Sequence, residues 1–583
     1  MLRLPLLGRA AALLSLLALA APMAAAQEVS EALVGSWEGP LDVGEEVATV
    51  VHIELGPDGA LTGTVDSPDQ QVWGLPLSSV EVDADGAVRI ELAMTAGVFE
   101  GGLDPASGEL RGLWRQRGTT QDFVLKRVPP PTPLSGERVA QLTGTWEGTL
   151  TIGAVELRMA FRLQPRAGGG LGGFLDSVDQ GARDIPVTRC DALADGGFRI
   201  SIGSLGASFV GRLTEQGELS GDFLQSGVVL PIEFVAVERA TEVRRPQTPL
   251  PPYPYRVEEV AYDNEAGPVR LAGTLTLPAG EGPFAAALLI SGSGAQDRDE
   301  SIFQHQPFLV IADHLTRAGV AVLRVDDRGV GGSGAGPGGA TTKDFAGDVA
   351  AGVAFLRGRA EIDGGRVGLI GHSEGGVIAP LVAVADPELA FLVMLAGTGE
   401  VGAKILLDQT ELIGRVSGAT EKDLARNRVL QGALFEALLD PDLDQEQRHA
   451  RFRELIADQP EIAEGEQGEN QVQAVIRQLD NAWMRFFLDY DPAPTLRMVK
   501  CPVLAMNGRL DLQVPWQANL EAIAAALAKG GNEDFETVDL PGLNHLFQHA
   551  ETGLVTEYGK IEETFAPEVL EKMAGWILER VGP

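Results

Sequence analysis

The first 240 residues contain an internal repeat. Residues Gly35–Gly39 read GSWEG and Gly144–Gly148 read GTWEG, while Leu61–Ser67 corresponds to Leu171–Ser177 in the same register. Corresponding residues lie 109 or 110 positions apart, so one module of that length is present twice. Because both copies must fold in the same way, this region consists of two similar domains rather than one continuous domain.

Each copy of the module reads as a series of short strands. The apolar run Val47–Leu55 stops at Gly56–Gly59, and further turn clusters follow at Asp83–Gly86 and Asp104–Gly108. Turn clusters at intervals of roughly 8–12 residues, between alternating runs, favour an antiparallel sandwich or barrel, and about eight strands would suit an up-and-down barrel. We therefore predict two all-β repeats, barrel-like or sandwich, at residues 27–130 and 131–245.

The GxW opening of each repeat is similar to that of lipocalin-type barrels. The motif is too short to imply ligand binding, and we expect Trp37 and Trp146 to close the base of each barrel. Modules that hold a ligand or a polymer remain an alternative. Proline-rich stretches at Pro129–Pro133 and Arg245–Pro254 have the composition of semi-rigid linkers and separate the repeats from each other and from the rest of the chain.

After Tyr255 the pattern changes. Continuous apolar runs such as Phe284–Ile290 and Val320–Val325 alternate with stretches of helical spacing, which is typical of a parallel sheet covered on both faces. Residues 402–497 interrupt this rhythm with a charged, glutamine-containing segment of helical periodicity. We predict one mostly parallel α/β domain at residues 246–583, with a helical cap at about 402–497 that covers the site.

The strongest chemical motif is the GHSEG sequence at Gly371–Gly375, the only Gly-x-Ser-x-Gly in the chain. An apolar strand precedes it and an apolar helix follows near Val377. A serine on such a turn takes strained backbone angles, and the flanking glycines let strand and helix approach closely. The motif predicts that Ser373 is a nucleophile and that the backbone N–H of Glu374 stabilises an oxyanion.

An acid and a histidine are expected to follow the serine in that order. Among seven histidines, His545 stands on a loop after an apolar strand, and we prefer it to His549. Asp511 follows the strand that ends near Met506, where an orienting carboxylate belongs. Asp539 and Asp534 are weaker candidates because they lie within or before the next strand.

The second oxyanion donor should come from the loop after the third strand of the α/β domain, Ser291–Asp299. We predict the backbone N–H of Ser293, with Gly294 as the alternative, and we expect Asp297 and Arg298 to pair and fix this loop. A second glycine-rich loop, Asp326–Ser333, does not have the spacing of a phosphate-binding motif and is interpreted as structural.

Together these motifs resemble the α/β-hydrolase superfamily over roughly Tyr255–Pro583. The SGSGAQDRD loop, the DDRGVGGS loop and GHSEGG are similar to those of bacterial esterases related to serine aminopeptidases and monoglyceride lipases. The resemblance implies a Ser373, Asp511, His545 triad, activity on short acyl esters, and no metal or organic cofactor. Ser291 stands where many relatives have histidine.

The resulting hypothesis is a serine hydrolase that cleaves carboxylic esters of small molecules through an acyl-enzyme. A serine peptidase of the aminopeptidase or prolyl type uses the same triad and remains an alternative, as does a ligand-binding protein that acts through the β repeats. The sequence does not determine the oligomeric state.

Charge and the N-terminus bear on where the protein acts. A formal net charge of −36 disfavours nucleic acid and anionic lipid as partners. Residues 1–26 combine Arg3 and Arg9, a short apolar run and an Ala-Ala-Ala site, which predicts a cleaved signal peptide rather than a stable membrane anchor. We expect an exported protein, periplasmic or secreted. The two cysteines, Cys190 and Cys501, predict neither a disulfide framework nor a zinc site.

Overall fold

The computed structural model describes residues 29–583, apart from 43–45, 57–58, 93–95, 117, 153–154, 167–168, 226–227, 458, 460–465 and 583. The predicted signal peptide therefore lies outside the described residues. The described residues form two compact units, one ending at Glu242 and the other beginning at Val243. Each unit contains one buried, unpaired cysteine, Cys190 and Cys501. Among the described residues, no helix has both the length and the apolar composition needed to cross a membrane.

The first unit contains two antiparallel sheets of nine strands each, one a half-barrel and the other a nearly closed barrel. The strands of the first sheet are β1 Gly35–Asp42, β2 Glu46–Leu55, β3 Leu61–Ser67, β4 Val72–Pro76, β5 Ser79–Val82, β6 Val88–Leu92, β7 Gly97–Leu103, β8 Leu110–Gln116 and β9 Thr119–Val128. After the helix α1 Glu137–Leu142, the second sheet contains β10 Gly144–Ile152, β11 Val155–Pro165, β12 Leu171–Ser177, β13 Ala182–Val187, β14 Arg189–Ala192, β15 Phe198–Ile202, β16 Ala207–Leu213, β17 Leu219–Gln225 and β18 Val228–Val237.

The strand order is the same in both sheets: the fourth strand of each copy forms one edge and the fifth strand the other. The prediction of two all-β repeats is confirmed, with nine strands rather than eight. The ninth strand arises because the strand structure is interrupted between β4 and β5 in the first copy, and between β13 and β14 in the second. In the described residues no ladder joins the two edge strands, so hydrogen bonding does not close either barrel.

The repeated Asp-Ser motif has a structural explanation. Both copies carry a register irregularity at this point, between Val65 and Ser67 in the first and at the equivalent place in the second. The Asp66 carboxylate accepts the Gly74 N–H at 2.7 Å, and the Asp176 carboxylate accepts the Asp184 N–H at 2.8 Å. A buried aspartate thus satisfies a backbone donor that the bulge removes from the ladder.

The repeated tryptophans are also structural. Trp37 is fully buried and Trp146 is 4% exposed. Their indole N–H groups donate to the carbonyls of Leu33 at 2.8 Å and Leu142 at 2.9 Å, four residues upstream in each case. Each ring therefore fills the core and joins the segment before the first strand to the barrel, as expected for a residue that closes the barrel base.

The second unit is built on an eight-stranded sheet of order β19-β20-β22-β21-β23-β24-β25-β26. Its strands are β19 Arg256–Asn264, β20 Val269–Leu277, β21 Phe284–Ile290, β22 Ala321–Val325, β23 Ile362–His372, β24 Leu392–Leu395, β25 Val503–Gly508 and β26 Phe535–Leu540. The pairs from β22 to β26 are all parallel, while β19 and β20 are antiparallel to their neighbours. Because the parallel strands are buried on both faces, they read as continuous apolar runs in the sequence.

Helices cover both faces of this sheet. The helices of the unit are α2 Pro307–Arg317, α3 Thr342–Arg357, α4 Gly375–Ala385, α5 Gly402–Val416, α6 Glu421–Leu439, α7 Gln445–Ala457, α8 Glu466–Leu479, α9 Ala482–Asp489, α10 Pro492–Leu496, α11 Trp516–Lys529, α12 Val555–Tyr558 and α13 Pro567–Val581. Helices α3, α4 and α11 pack in one hydrophobic cluster with the sheet, and α2 and α13 pack in another. The prediction of a mostly parallel sheet between two helical layers is confirmed.

The segment from α5 to α10 interrupts the alternation of strands and helices. It runs between β24 and β25 and, in its described residues, contains six helices and no strand. Phe435, Phe452 and Leu488 form part of a small hydrophobic core of its own. The segment therefore packs as a subdomain inserted at the carboxyl edge of the sheet, and it is called the cap below.

Candidate active site

Ser373 lies at the sharp turn between β23 and α4. Its φ is 52°, and its N–H donates to the Leu395 carbonyl at 2.8 Å. A Cβ at Gly371 would come within 2.1 Å of the Gly375 carbonyl oxygen, and one at Gly375 within 2.2 Å of the Ile290 carbonyl oxygen. Glycine at both positions is thus required by close backbone approach, and the turn projects Ser373 from the carboxyl edge of the sheet.

Asp511 and His545 are in direct contact. His545 Nδ1 lies 2.7 Å from Asp511 Oδ2, and both side chains are buried. The other carboxylate oxygen of Asp511 accepts the N–H groups of Gln513 at 2.8 Å and Val514 at 2.9 Å. Since Asp511 is an acceptor on both oxygens, the His545 proton is on Nδ1 and its Nε2 is left as the basic nitrogen.

The alternative acid and base residues lie elsewhere. His549 is more than half exposed and pairs with Glu563 at 2.8 Å. Asp539 and Asp534 make ion pairs with Arg509 and Arg580 on the protein surface. None of the three contacts His545 within the described residues.

The loops of Ser373 and His545 meet at the edge where β23, β25 and β26 end. His372, the neighbour of Ser373, places its ring centroid 4.8 Å from that of His545. Its Nε2 lies 3.0 Å from the His545 backbone carbonyl oxygen. The fold therefore brings the turn of Ser373 beside the pair of His545 and Asp511, although Ser373 and His545 are 172 positions apart in the sequence.

The loop predicted to supply an oxyanion donor lies against the serine. A Cβ at Gly292 would be 3.2 Å from the Ser373 Cβ. The Gly292 N–H is already used, because it donates to Glu300 Oε1 at 2.7 Å. Across the part of the chain that the structure covers, the N–H groups of Ser293, Gly294 and Glu374 make no hydrogen bond. The predicted donors, Ser293 and Glu374, are thus available, and the choice between Ser293 and Gly294 stays open.

Residues 287–556 match the family model described as the Alpha/beta hydrolase family. This range begins in β21 and includes the serine turn, the cap and the loop of His545. The match lies within the second unit, which has the fold of an α/β-hydrolase domain and is called the hydrolase domain below.

Among curated proteins, this chain is similar to the esterase EstD of Thermotoga maritima, with 25% identity over 313 residues. The match covers 53% of this chain and 66% of EstD, so the chain spans just under two thirds of that relative. Solved structures with similarity include an esterase from Pyrococcus furiosus, at 15% identity, 56% coverage of this chain, 94% of that chain and a TM-score of 0.34. Another is Est1E from Butyrivibrio proteoclasticus with ferulic acid bound, at 17% identity, 56% and 100% coverage and a TM-score of 0.33.

The loops at the mouth of the hydrolase domain are fixed by ion pairs. Arg298 pairs with Asp326, with Nε–Oδ1 at 3.0 Å and Nη2–Oδ2 at 2.7 Å. The expected pairing of Arg298 with Asp297 is therefore wrong: Asp297 instead accepts the backbone N–H of Ser301 at 2.9 Å. The carboxylate of the neighbouring residue Asp297 reaches the Arg298 guanidinium less well than that of Asp326, which lies at the end of the adjacent strand β22. The glycine-rich loop thus stabilises the oxyanion loop, which agrees with its interpretation as structural.

A cavity of about 510 Å³ opens beside the serine turn in the hydrolase domain. Its wall is mostly apolar, and Trp483 of the cap closes one side. The polar part of the wall contains Glu374, Asp327 and Arg328, of which Arg328 is paired with Asp348. The remaining lining residues are Tyr262, Leu271, Leu288, Leu289, Ile290, Ser291, Gly292, Ser293, Gly294, Ala295, Val325, Asp326, Ala340, Phe345, Asp348, Val349 and Ile378.

Two carboxyl groups of the cavity face no cation within the described residues. Burial raises the pKa of Glu374, although the Thr342 hydroxyl at 2.7 Å and the Trp483 indole at 2.8 Å donate to its Oε1. Burial also raises the pKa of Asp327 to about 7, against hydrogen bonds from the Gln296 N–H and the Ser291 hydroxyl. The charges of Glu300 and Glu374 add to this increase. Burial therefore favours the neutral form of both carboxyl groups, and only for Asp327 does the pKa of about 7 lie near neutrality.

Sequence reasoning missed part of this site. It did not identify Trp483, Glu300 or the His372 side chain, because these residues reach the site from separate segments and belong to no local motif. For a metal, no group of three or more His, Cys, Asp or Glu side chains with suitable placement occurs among the described residues.

Proposed function

We propose that this protein is a serine esterase in which Ser373 is the nucleophile, His545 the general base and Asp511 the orienting carboxylate. The observation that carries the proposal is the buried contact of 2.7 Å between His545 Nδ1 and Asp511 Oδ2, at the sheet edge where Ser373 stands with a positive φ. The similarity to EstD supports an ester as the bond that is cleaved.

The proposed mechanism gives each of these three groups one role. His545 Nε2 takes the proton of the Ser373 hydroxyl as the oxygen attacks the acyl carbonyl, and Asp511 stabilises the imidazolium. His545 then protonates the departing alcohol, which leaves an acyl group on Ser373. Water, activated by the same histidine, hydrolyses that acyl-enzyme and regenerates the serine.

The oxyanion of each tetrahedral intermediate would accept hydrogen bonds from the N–H groups of Glu374 and Ser293. The helix α4 begins at Gly375, so its dipole favours negative charge at the same place. Each such donor can contribute about 3 kcal/mol to stabilisation of the transition state.

The cavity indicates the size of the substrate. Its volume of about 510 Å³ suits a small molecule. We therefore propose esters with short acyl chains, held by apolar contacts with residues such as Leu288, Phe345 and Ile378. A series of p-nitrophenyl esters of increasing acyl length tests this directly, since kcat/KM should fall once the chain exceeds the cavity.

The central experiment replaces the nucleophile. Ser373→Ala should abolish hydrolysis of p-nitrophenyl acetate and labelling by a fluorophosphonate probe, while the circular dichroism spectrum is retained. Ser293→Ala is the matched control, because only its backbone N–H is invoked and the side-chain change should alter kcat/KM by less than about 3-fold. Activity retained in a well-folded Ser373→Ala protein would refute the proposal.

A second candidate function is a peptidase that accepts substrates with a free amine. One observation favours it: the Glu374 carboxylate is buried in the cavity wall beside the nucleophile, and both of its hydrogen bonds fall on Oε1. A protonated amine could be bound by the other oxygen. Assay of amino-acid amides against p-nitrophenyl esters separates the two functions, and a preference for amides that Glu374→Gln removes would select the peptidase.

The N-terminal sequence motivates a further part of the proposal, that the reaction takes place outside the cytoplasm. Cell fractionation with an activity assay tests this, together with determination of the mature N-terminus. Full-length protein in the cytoplasmic fraction would contradict export.

A further inference from the structure

A second buried acid–histidine pair lies behind Ser373. His372 Nδ1 is 2.9 Å from Glu300 Oε1, and both side chains are less than 8% exposed. The other ring nitrogen, Nε2, is 3.0 Å from the His545 backbone carbonyl oxygen. The pair is therefore in contact with the loop that carries the proposed base, yet it takes no part in the proton transfers described above.

The two contacts of His372 define its protonation. A carboxylate and a backbone carbonyl are both acceptors, so each ring nitrogen must donate a proton and the ring must be an imidazolium. Burial alone would lower the pKa of His372, but the charge and hydrogen bond of Glu300, together with the His545 carbonyl, raise it above the ordinary value. Glu300 and His372 thus form an ion pair.

The same carboxylate oxygen also holds the oxyanion loop. Glu300 Oε1 accepts the Gly292 N–H at 2.7 Å, one residue before the proposed donor Ser293. Because a Cβ at Gly292 would lie 3.2 Å from the Ser373 Cβ, this section of the loop contacts the nucleophile. One oxygen atom therefore links the oxyanion loop to His372, and His372 links it to the loop of His545.

The backbone at both ends of this link is strained. Glu300 has φ 51° and Ser373 has φ 52°, values that non-glycine residues rarely adopt. Such conformations cost on the order of 1–3 kcal/mol each and persist only where the surrounding contacts impose them. The contacts of Glu300 with Gly292 and His372 provide that constraint.

We propose that Glu300 and His372 are positioning residues, a buried ion pair that sets the oxyanion loop and the His545 loop at a fixed separation on either side of Ser373. This inference rests on the proposed esterase function. It assigns a role to His372, the second residue of the GHSEG motif, which has no role in the triad chemistry.

The proposal has a pH signature. The charged or titratable groups facing His372 are Glu300 just after the oxyanion loop, Asp511 after β25, and His545 after β26. Below its raised pKa, His372 keeps both N–H donors and both loops are held. As pH rises through that pKa, one N–H is lost and one loop is released, so kcat should fall on the alkaline side.

The test is Glu300→Gln, which keeps the amide oxygen as acceptor for Gly292 but removes the charge. We expect kcat for p-nitrophenyl acetate to fall on the order of 10²-fold, as for a misplacement of about 1 Å, with KM changed by less than about 2-fold. The alkaline limb of the kcat profile should move to lower pH, because the His372 pKa falls when the Glu300 charge is removed. Glu300→Asp keeps the negative charge, so the alkaline limb of its kcat profile should lie at the same pH as in the wild type.

The matched control is Glu563→Gln. Glu563 also pairs with a histidine, His549, at 2.8 Å, but on the surface of the same unit. This variant should leave kcat, KM and the pH profile unchanged. A folded Glu300→Gln protein with wild-type kcat, or one with reduced kcat but an unmoved alkaline limb, would overturn the proposal, the second outcome indicating a merely structural role.

A measurement on the wild-type protein does not depend on catalytic activity. With ¹⁵N-labelled histidine, His372 should give two protected N–H signals at neutral pH. His372→Gln, made for assignment, should remove both. One signal, from a neutral ring, would overturn the proposal. Failure of the esterase function would appear separately, as absence of fluorophosphonate labelling and ester hydrolysis in wild-type protein.

Discussion

Buried acids have different partners in the two units. In the β repeats each buried acid faces an arginine: Asp66 lies 2.6 Å from Arg189, in addition to 2.9 Å from His52, and Asp176 lies 2.8 Å from Arg162. In the hydrolase domain two acids near Ser373 face histidine: Asp511 lies 2.7 Å from His545, and Glu300 lies 2.9 Å from His372. Arginine stays charged at all accessible pH values, whereas histidine gains or loses a proton near neutrality.

This difference distinguishes buried acids that stabilise the fold from buried acids that can take part in chemistry. An aspartate–arginine pair compensates charge permanently and holds two strands together. In an aspartate–histidine pair the proton can be transferred. Glu374 and Asp327 face no cation within the described residues, so a bound substrate can change their charge. We expect substitutions in the first group to change stability alone, and those in the second group to change activity or its pH dependence.

The largest effect should come from Asp511→Asn. The amide no longer selects the His545 tautomer with its proton on Nδ1, so kcat for p-nitrophenyl acetate should fall by about 10⁴-fold while thermal stability changes little. Asp539→Asn, which alters a surface pair with Arg509, is the control and should retain wild-type kcat. A loss of less than 10-fold in Asp511→Asn would place Asp511 in the structural group and break the distinction between the units.

A smaller effect, on stability alone, is expected from Asp66→Asn. The new amide would face Arg189 and His52 with a donor, so unfolding in urea should become easier by on the order of 1–3 kcal/mol at neutral pH, with kcat unchanged. Burial tends to raise the Asp66 pKa, but hydrogen bonds from His52 and Arg189 lower it overall. The stability it contributes is therefore present above the unfolded pKa of about 3.9 and is lost as pH falls through the lower folded value.

The control for that variant is Asp195→Asn. Asp195 pairs with Arg212 at 3.1 Å, but both side chains are more than 60% exposed. The change in unfolding free energy should stay below about 1 kcal/mol. Equal effects of the two variants, or a loss of kcat in Asp66→Asn, would contradict the structural role of the buried pair.

The smallest effect should come from Asp327→Asn. Because the folded pKa of Asp327 is raised to about 7, the unfolded state gives up this proton first, and the wild type loses stability between about pH 4 and pH 7. The amide can still accept from the Gln296 N–H and can donate to the Ser291 hydroxyl. The variant should be more stable than wild type at pH 8, by on the order of 1 kcal/mol, and should lose this advantage near pH 4.

Thermal unfolding at both pH values measures this difference. Asp363→Asn is the control, since the Asp363 side chain is 39% exposed, accepts the Gly365 N–H at 3.0 Å and pairs with Arg366 at 2.8 Å near the surface. That variant should gain nothing at pH 8. An Asp327→Asn protein less stable than wild type at pH 8 would show that the ionised carboxylate is favoured, and the cavity would then contain one uncompensated acid rather than two.

The sequence by itself determined the local features. The repeat predicts two β domains because identical turn and strand patterns fold alike. The GHSEG turn predicts the position of Ser373, since only glycine permits the close approach at Gly371 and Gly375. The order of strands and loops placed Asp511 and His545 at one sheet edge, because parallel strands end on the same side; their catalytic roles remain predictions.

Only the tertiary structure decided which distant groups meet. Glu300 and His372 are 72 positions apart, and Trp483 reaches Glu374 across 109 positions. Arg298 takes Asp326 rather than its neighbour Asp297 for the same reason. Such contacts depend on how strand ends, loops and the cap pack in three dimensions, and no periodicity or spacing along the chain encodes them. The sequence therefore predicts the nucleophile and the sheet, while packing sets the charge around them.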